Sequence, residues 1–137
     1  MHFPSVLIID DSELERYMLV HQLKKIGIKT LVEKSDAISG LSYLNGFTTE
    51  KSKDIPPKLI ILDVNMPVMN GFEFLKKFTE LREKNELSQC QVLMYTGSEN
   101  VAEHNKALQY DFVKGILIKG QFEVEELRIQ LELLCKS

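Results

Sequence analysis

The sequence predicts an α/β domain of the doubly wound type, a five-stranded parallel sheet covered by helices on both faces. Three observations predict it. Short apolar runs recur along the chain: VLII at 6–9, KTLV at 29–32, LIIL at 59–62, QVLMY at 91–95 and GILI at 115–118. Each is near-continuously apolar instead of alternating, as suits a strand buried on both sides. The stretches between them carry apolar residues at helical spacing, and five strand–helix units in alternation build such a sheet.

The first run leads into a helix where Leu19, Leu23 and Ile26 fall on one face, and Gly27 supplies its stop. After the second run, Asp36 can cap a short helix carrying Ile38, Leu41 and Leu44, ending near Asn45-Gly46. The polar, Pro-terminated segment 47–57 is the one long loop. The third run is followed by a helix entered through Asn70-Gly71 and marked by Phe72, Leu75, Phe78 and Leu81. A weaker helix is expected from about Asn100 to Tyr110, and Val124, Leu127, Leu131 and Leu134 mark the last one. That helix runs to the chain terminus, so residues 1–137 are expected to form a single domain with no output domain.

Composition excludes several classes. Of 137 residues, 44% are hydrophobic and 27% charged, which removes disordered and low-complexity chains. A net charge of −3 offers no footprint for a phosphate backbone, so nucleic acid is not expected as a direct ligand. No apolar run approaches the roughly 20 residues that cross a bilayer, so membrane insertion is not expected. The segment Met1-His2-Phe3-Pro4-Ser5 lacks the basic and apolar regions of a signal peptide. Cys90 and Cys135 form no CxxC pair, and His2, His21 and His104 are scattered. A reducing cytoplasm is expected, with neither a disulfide framework nor a zinc site.

The polar residues that end the strands carry the chemistry. The first strand ends in Asp10-Asp11, the third in Asp63, the fourth in Thr96-Gly97 and the fifth in Lys119. In a parallel sheet these ends share one rim, where ligands bind. Crowded carboxylates repel one another unless a cation is present. Mg²⁺ suits a site with few carboxylates, several waters and a phosphate oxygen. A carboxylate is also a competent nucleophile toward phosphorus. Lys119 and the metal would stabilise the transferring oxygens, and Thr96 could hydrogen-bond one. Each element alone has a plainer reading. Asp10-Asp11-Ser12 could cap a helix, Asp63 could start a turn, Thr96-Gly97-Ser98 could be an ordinary loop, and Lys119 could be solvated. The case rests on their joint placement.

With these residues in these positions, the chain resembles the receiver domain of two-component response regulators, of the stand-alone chemotaxis-regulator-like type. The likeness extends from about Ser5 to the last helix, and LIILDVNMPVMNGFEFL at 59–75 matches the family's phosphoacceptor region. The resemblance implies a flavodoxin-like (βα)5 fold with strand order 2-1-3-4-5. It implies that Asp63 accepts a phosphoryl group from a histidine kinase or histidine phosphotransfer protein. Asp10 and Asp11 would hold Mg²⁺, with Asp11 the direct ligand, and Asn65 would give it a backbone carbonyl. Thr96 would move toward the phosphoryl group and Lys119 would pair with it. The domain would not be an enzyme in the ordinary sense, although it would promote its own phosphorylation and dephosphorylation. Output would pass to an unknown downstream protein through the surface of the fourth helix, fifth strand and fifth helix, which could also form a homodimer.

Two departures from the family pattern stand out. Gly120 follows Lys119 where proline is usual, and Ile116 replaces the usual aromatic switch residue. Tyr95 and Tyr110 are nearby in sequence. On the expected output surface lie Val101, His104 and Ile118, and the last helix carries Phe122, Ile129 and Leu133 off its main stripe. Those three either widen a buried face or form a partner surface. Asn65 and Ser98 are small and polar where side chains could orient water, so a labile phosphoaspartate is expected. Two other classes are weighed against the switch: a degenerate receiver that binds partners without phosphorylation, and a haloacid-dehalogenase-type phosphohydrolase. The hydrolase would need Asp-x-Asp at the first strand, where this chain has the adjacent pair Asp10-Asp11.

Overall fold

The computed structural model describes residues 5–47, 55–84, 87–121 and 123–135. Phe122 and positions 48–54 of the long loop lie outside them. Ten elements alternate along the chain: β1 (Val6–Ile9), α1 (Glu13–Ile26), β2 (Leu31–Lys34), α2 (Ala37–Asn45), β3 (Leu59–Asp63), α3 (Gly71–Lys84), β4 (Gln91–Thr96), α4 (Val101–Leu108), β5 (Val113–Ile118) and α5 (Val124–Cys135). The strands form one parallel sheet in the order β2-β1-β3-β4-β5. This is the expected doubly wound, flavodoxin-like topology.

Burial explains why the central strands are apolar throughout. Every residue of β1 and β3 is buried. Side chains alternate across the sheet and supply two cores. Leu7, Ile9, Ile60, Leu62, Val92 and Met94 pack toward α2, α3 and α4 with Phe74, Phe78 and Ala107. Val6, Ile8, Leu59, Ile61, Leu93, Tyr95 and Leu117 pack toward α1 and α5 with Leu19, Leu23, Leu127 and Leu131.

The structure corrects several details. The second strand lies at Leu31–Lys34 instead of 29–32, because pairing with β1 recruits Glu33 and Lys34 despite their polarity. An edge strand needs only one apolar face. The fifth strand begins at Val113, two residues earlier than expected, with a register shift opposite Val92 and Leu93. In α2 the buried face is Ala37, Gly40 and Leu44, while Ile38 is 54% exposed. The helix sits so close to the sheet that a Cβ on Gly40 would fall 2.5 Å from Ile9 Cδ1. In α3 Phe74 is fully buried beside Leu75 and Phe78, whereas Phe72 is half-buried. The fourth helix stops at Leu108, short of Tyr110.

Helix ends follow the expected chemistry. Ser12 caps α1 with its hydroxyl on the Glu15 amide, Asp36 caps α2 through Ser39, and Asn100 caps α4 through Glu103. Asn70 and Glu73 cap α3 reciprocally, each side chain accepting from the other's amide. Gly27 ends α1 at φ 116°, a left-handed conformation that side chains disfavour.

Candidate functional site

Strand register sets the site. Ile9 pairs with Leu62, so Asp10 and Asp63 leave neighbouring strands side by side. Asp63 pairs with Tyr95, and Thr96 with Ile118. Lys119 is therefore the first residue beyond β5, and its amide donates to the Thr96 carbonyl at 2.7 Å. All five expected residues meet at the C-terminal rim. Asp10, Asp63 and Thr96 are buried, Lys119 is half-buried, and Asp11 is exposed.

Two of the plainer readings fail, the aspartate cap and the solvated lysine, whereas Asp63 and Thr96 do accept local turn bonds from Asn65 and Ser98. Ser12, not either aspartate, caps α1. Its amide donates to Asp10 Oδ1 at 2.9 Å, which aims the carboxylate into the site. The Lys119 side chain is not solvated. Its Nζ lies 3.0 Å from Asp10 Oδ2 and 3.1 Å from Asp63 Oδ1. Asp63 Oδ1 also accepts from the Asn65 amide at 3.3 Å. Thr96 Oγ1 accepts the Ser98 amide at 3.0 Å, tying the strand end to the loop before α4. Asn65 itself is exposed beyond β3.

The electrostatics match this crowding. Burial and the neighbouring Asp10 charge push the Asp63 carboxyl up to about 7, against the opposing pull of Lys119. For Lys119, burial acts to lower the pKa, but Asp10 and Asp63 outweigh it and hold it above the ordinary lysine value.

Asp10, Asp11 and Asp63 each offer a carboxylate oxygen, and these oxygens lie within 4.8 Å of one another. Asp10 Oδ2 is buried and, among the described residues, is faced by the Lys119 ammonium at 3.0 Å. Such an oxygen, in an all-oxygen donor set with one exposed member, fits a hard divalent cation that keeps part of its water.

Two contributors, Arg16 and Glu15, carried no signal in the sequence, and a third, Tyr95, stood out there only as an aromatic near the switch position. Arg16 donates to the Asp10 backbone carbonyl and pairs with Glu33 Oε1 at 3.3 Å, bracing the acidic loop against β2. Glu15 accepts the Tyr95 hydroxyl at 2.8 Å. The Tyr95 ring lies beneath Lys119, whose Nζ is 5.0 Å from the ring centroid. Helical spacing places Arg16 and Glu15 near Asp11, but nothing in the letters separates them from other surface charges.

Of the two departures, Gly120 has a local reason. It adopts φ 77°, which proline, held near −65°, cannot reach. Ile116 lies beside a narrow cavity between β4, β5 and α4, lined also by Thr96 and His104. Tyr95 packs on the α1/α5 side of the sheet and Tyr110 against Phe112, so neither ring stands where Ile116 does.

A doubly wound parallel domain with an acidic cluster and a lysine at its rim has the architecture of a phosphoacceptor signalling module. The family model described as the response regulator receiver domain matches residues 6–132, and the chain belongs to that family. It is 31% identical over 123 residues to the Regulator of RpoS of Escherichia coli, covering 90% of this chain but only 32% of that protein. It is 26% identical to chemotaxis protein CheY1 of Helicobacter pylori, covering 94% of each. Among solved structures, Vibrio cholerae CheY4 aligns with a TM-score of 0.74 at 28% identity, covering 97% of this chain and 99% of that one. A two-component response regulator from Cytophaga hutchinsonii shares the fold with a TM-score of 0.86 at 19% identity over the full length of both. No described helix is long and apolar enough to cross a membrane.

Proposed function

We propose that Asp63 takes a phosphoryl group from a phosphohistidine on a histidine kinase or histidine phosphotransfer protein. A carboxylate oxygen of Asp63 bonds to phosphorus as the P–N bond breaks. The electron pair leaves with the imidazole, which regains a proton, and an acyl phosphate remains on Asp63. The observation that carries this reading is the buried Asp63 carboxylate held 3.1 Å from Lys119 beside a second buried carboxylate, Asp10.

Asp10, Asp11, Asp63 and the Asn65 carbonyl would hold Mg²⁺, a choice supported by the spacing of the three carboxylates. When bound, the ion would neutralise charge on the transferring oxygens. Magnesium is named in the active-site cleft of the receiver domain of sensor kinase PA1611 from Pseudomonas aeruginosa, which shares this fold. Lys119 stabilises the same oxygens from the other side. Thr96 turns its hydroxyl from the Ser98 amide to the phosphoryl group, which releases the loop before α4. The signal then leaves through α4, β5 and α5, where Val101, Ile129 and Leu133 are exposed. The same surface would serve a downstream protein or a second copy. Action as a single receiver domain belongs to the same proposal, supported by the match to CheY1 over 94% of each chain.

Intact-protein mass after incubation with acetyl phosphate and Mg²⁺ tests the reading. One phosphoryl adduct is expected, lost in Asp63→Asn and in EDTA. No adduct from protein shown separately to bind Mg²⁺ would favour a phosphorylation-independent binding module. Turnover of a generic phosphate ester would favour the hydrolase.

A further inference from the structure

Lys119 is held by more than its two carboxylates. Tyr95 is 4% exposed and pairs across the β3–β4 ladder with Asp63 itself. Its ring faces the Lys119 ammonium at 5.0 Å, and its hydroxyl donates to Glu15 Oε2 at 2.8 Å. Glu15 belongs to the first turn of α1, where its amide is already fixed by the Ser12 hydroxyl at 3.2 Å. The ring is therefore anchored at both ends, by β4 through its backbone and by α1 through its hydroxyl.

That arrangement answers a conflict inside the site. Lys119 now occupies Asp10 Oδ2 and Asp63 Oδ1. A cation bound among the acidic oxygens competes for those same atoms. A lysine losing them would swing toward water, since its flexible stem gains entropy there. An aromatic face attracts an ammonium without using any carboxylate oxygen. The hydrogen bond to Tyr95 also engages the Glu15 carboxylate at a point on α1 only four residues beyond Asp11.

We infer that Tyr95, oriented by Glu15, is a positioning residue that keeps the Lys119 ammonium in the site while Asp10 and Asp63 are given over to metal and phosphoryl group. Its kinetic consequence rests on the phosphoacceptor reading of Asp63; its structural consequence does not. The alternative role for Tyr95 is to fill the core between the sheet and α1, beside Leu93, Leu117 and Leu127.

Two measurements on the full chain separate these roles. The first is the proton shift of the Lys119 ε-methylene in unphosphorylated protein, with and without Mg²⁺. The ring current of Tyr95 moves it upfield in the wild type. Tyr95→Leu abolishes the displacement, Glu15→Ala and Tyr95→Phe reduce it, and Glu15→Gln, which keeps an accepting oxygen, restores it. The second is the phosphorylation rate constant at saturating acetyl phosphate. Tyr95→Leu is expected to slow it about three- to tenfold. The same change in a Lys119→Ala background should slow it no further, because the residue acts through that lysine. Equal slowing in both backgrounds, or a Lys119 signal indifferent to Tyr95 and Glu15, overturns the inference. Should Tyr95→Leu fold poorly, Tyr95→Phe and the two Glu15 variants carry the same comparison. If the wild type takes no phosphoryl group, the phosphoacceptor reading fails, and the Lys119 shift still decides whether Tyr95 holds the lysine.

Discussion

A carboxyl group pushed up to about 7 by burial and by Asp10 gives Asp63 an unusual role in stability. The folded chain binds this proton more tightly than the unfolded chain, whose carboxyl titrates near 3.8. The contribution of Asp63 is thus most favourable below the unfolded value, declines as pH rises, and is lost above about 7. In EDTA at pH 8, Asp63→Asn is expected to raise stability by about 1–2 kcal/mol. The gain should fade as pH drops from 7 toward 4, which urea unfolding at a series of pH values will show. Val68 departs from the norm for a different reason. It holds φ at 70° while 90% exposed, a strained conformation for a β-branched residue with little contact to lose. Val68→Asn, which tolerates that region, should raise the unfolding free energy by about 1 kcal/mol.

The connection from β3 to α3 shows how an element places the Asp63 carboxyl. Gly71 opens α3 with its amide on the Val64 carbonyl at 2.8 Å. A Cβ there would lie 2.6 Å from the Asp63 carbonyl and 2.9 Å from Val64 Cα. Both are backbone atoms that cannot give way. Gly71→Ala should therefore cost about 2–3 kcal/mol and displace the Asp63 backbone. Lower urea midpoints and slower phosphorylation are the expected readouts. The Asn70-Gly71 pair was legible as a helix entry, but the need for glycine was not. It comes from close approach between two segments, where the letters suggest only a turn. The same limit explains α2, where proximity to Ile9 selects Gly40 over Ile38 for the buried face. It explains β2 as well, whose position depends on pairing with β1 and not on its own apolarity.

Across the whole molecule, the sheet order brings the ends of β1, β3, β4 and β5 to one rim, so on the proposed reading metal binding and protonation would compete there. With the Asp63 carboxyl near 7, apparent Mg²⁺ affinity should fall about tenfold between pH 8 and pH 6. The chain has no tryptophan, and Tyr95 lies beside the site, so tyrosine fluorescence is a direct titration signal. A pH-independent affinity would remove Asp63 from the ligand set. The distribution of exposed apolar groups also emerges only at this scale. Ile129 and Leu133 are exposed on α5, so they do not widen its buried face, and Val101 is exposed on α4.

Local chemistry in the chain itself determined the element types, the cap at Asp36, the stop at Gly27, and the residues that end each strand. Apolar runs and helical spacing need only neighbours in sequence to be read. The family likeness of segment 59–75 added the strand order. Tertiary structure alone decided that Ser12, not an aspartate, caps α1, which leaves Asp10 and Asp11 for the site. It also decided that Arg16, Glu15 and Tyr95 support the acidic cluster. The Tyr95–Glu15 bond spans 80 residues of sequence and the Arg16–Glu33 pair joins α1 to β2, so no local pattern records them.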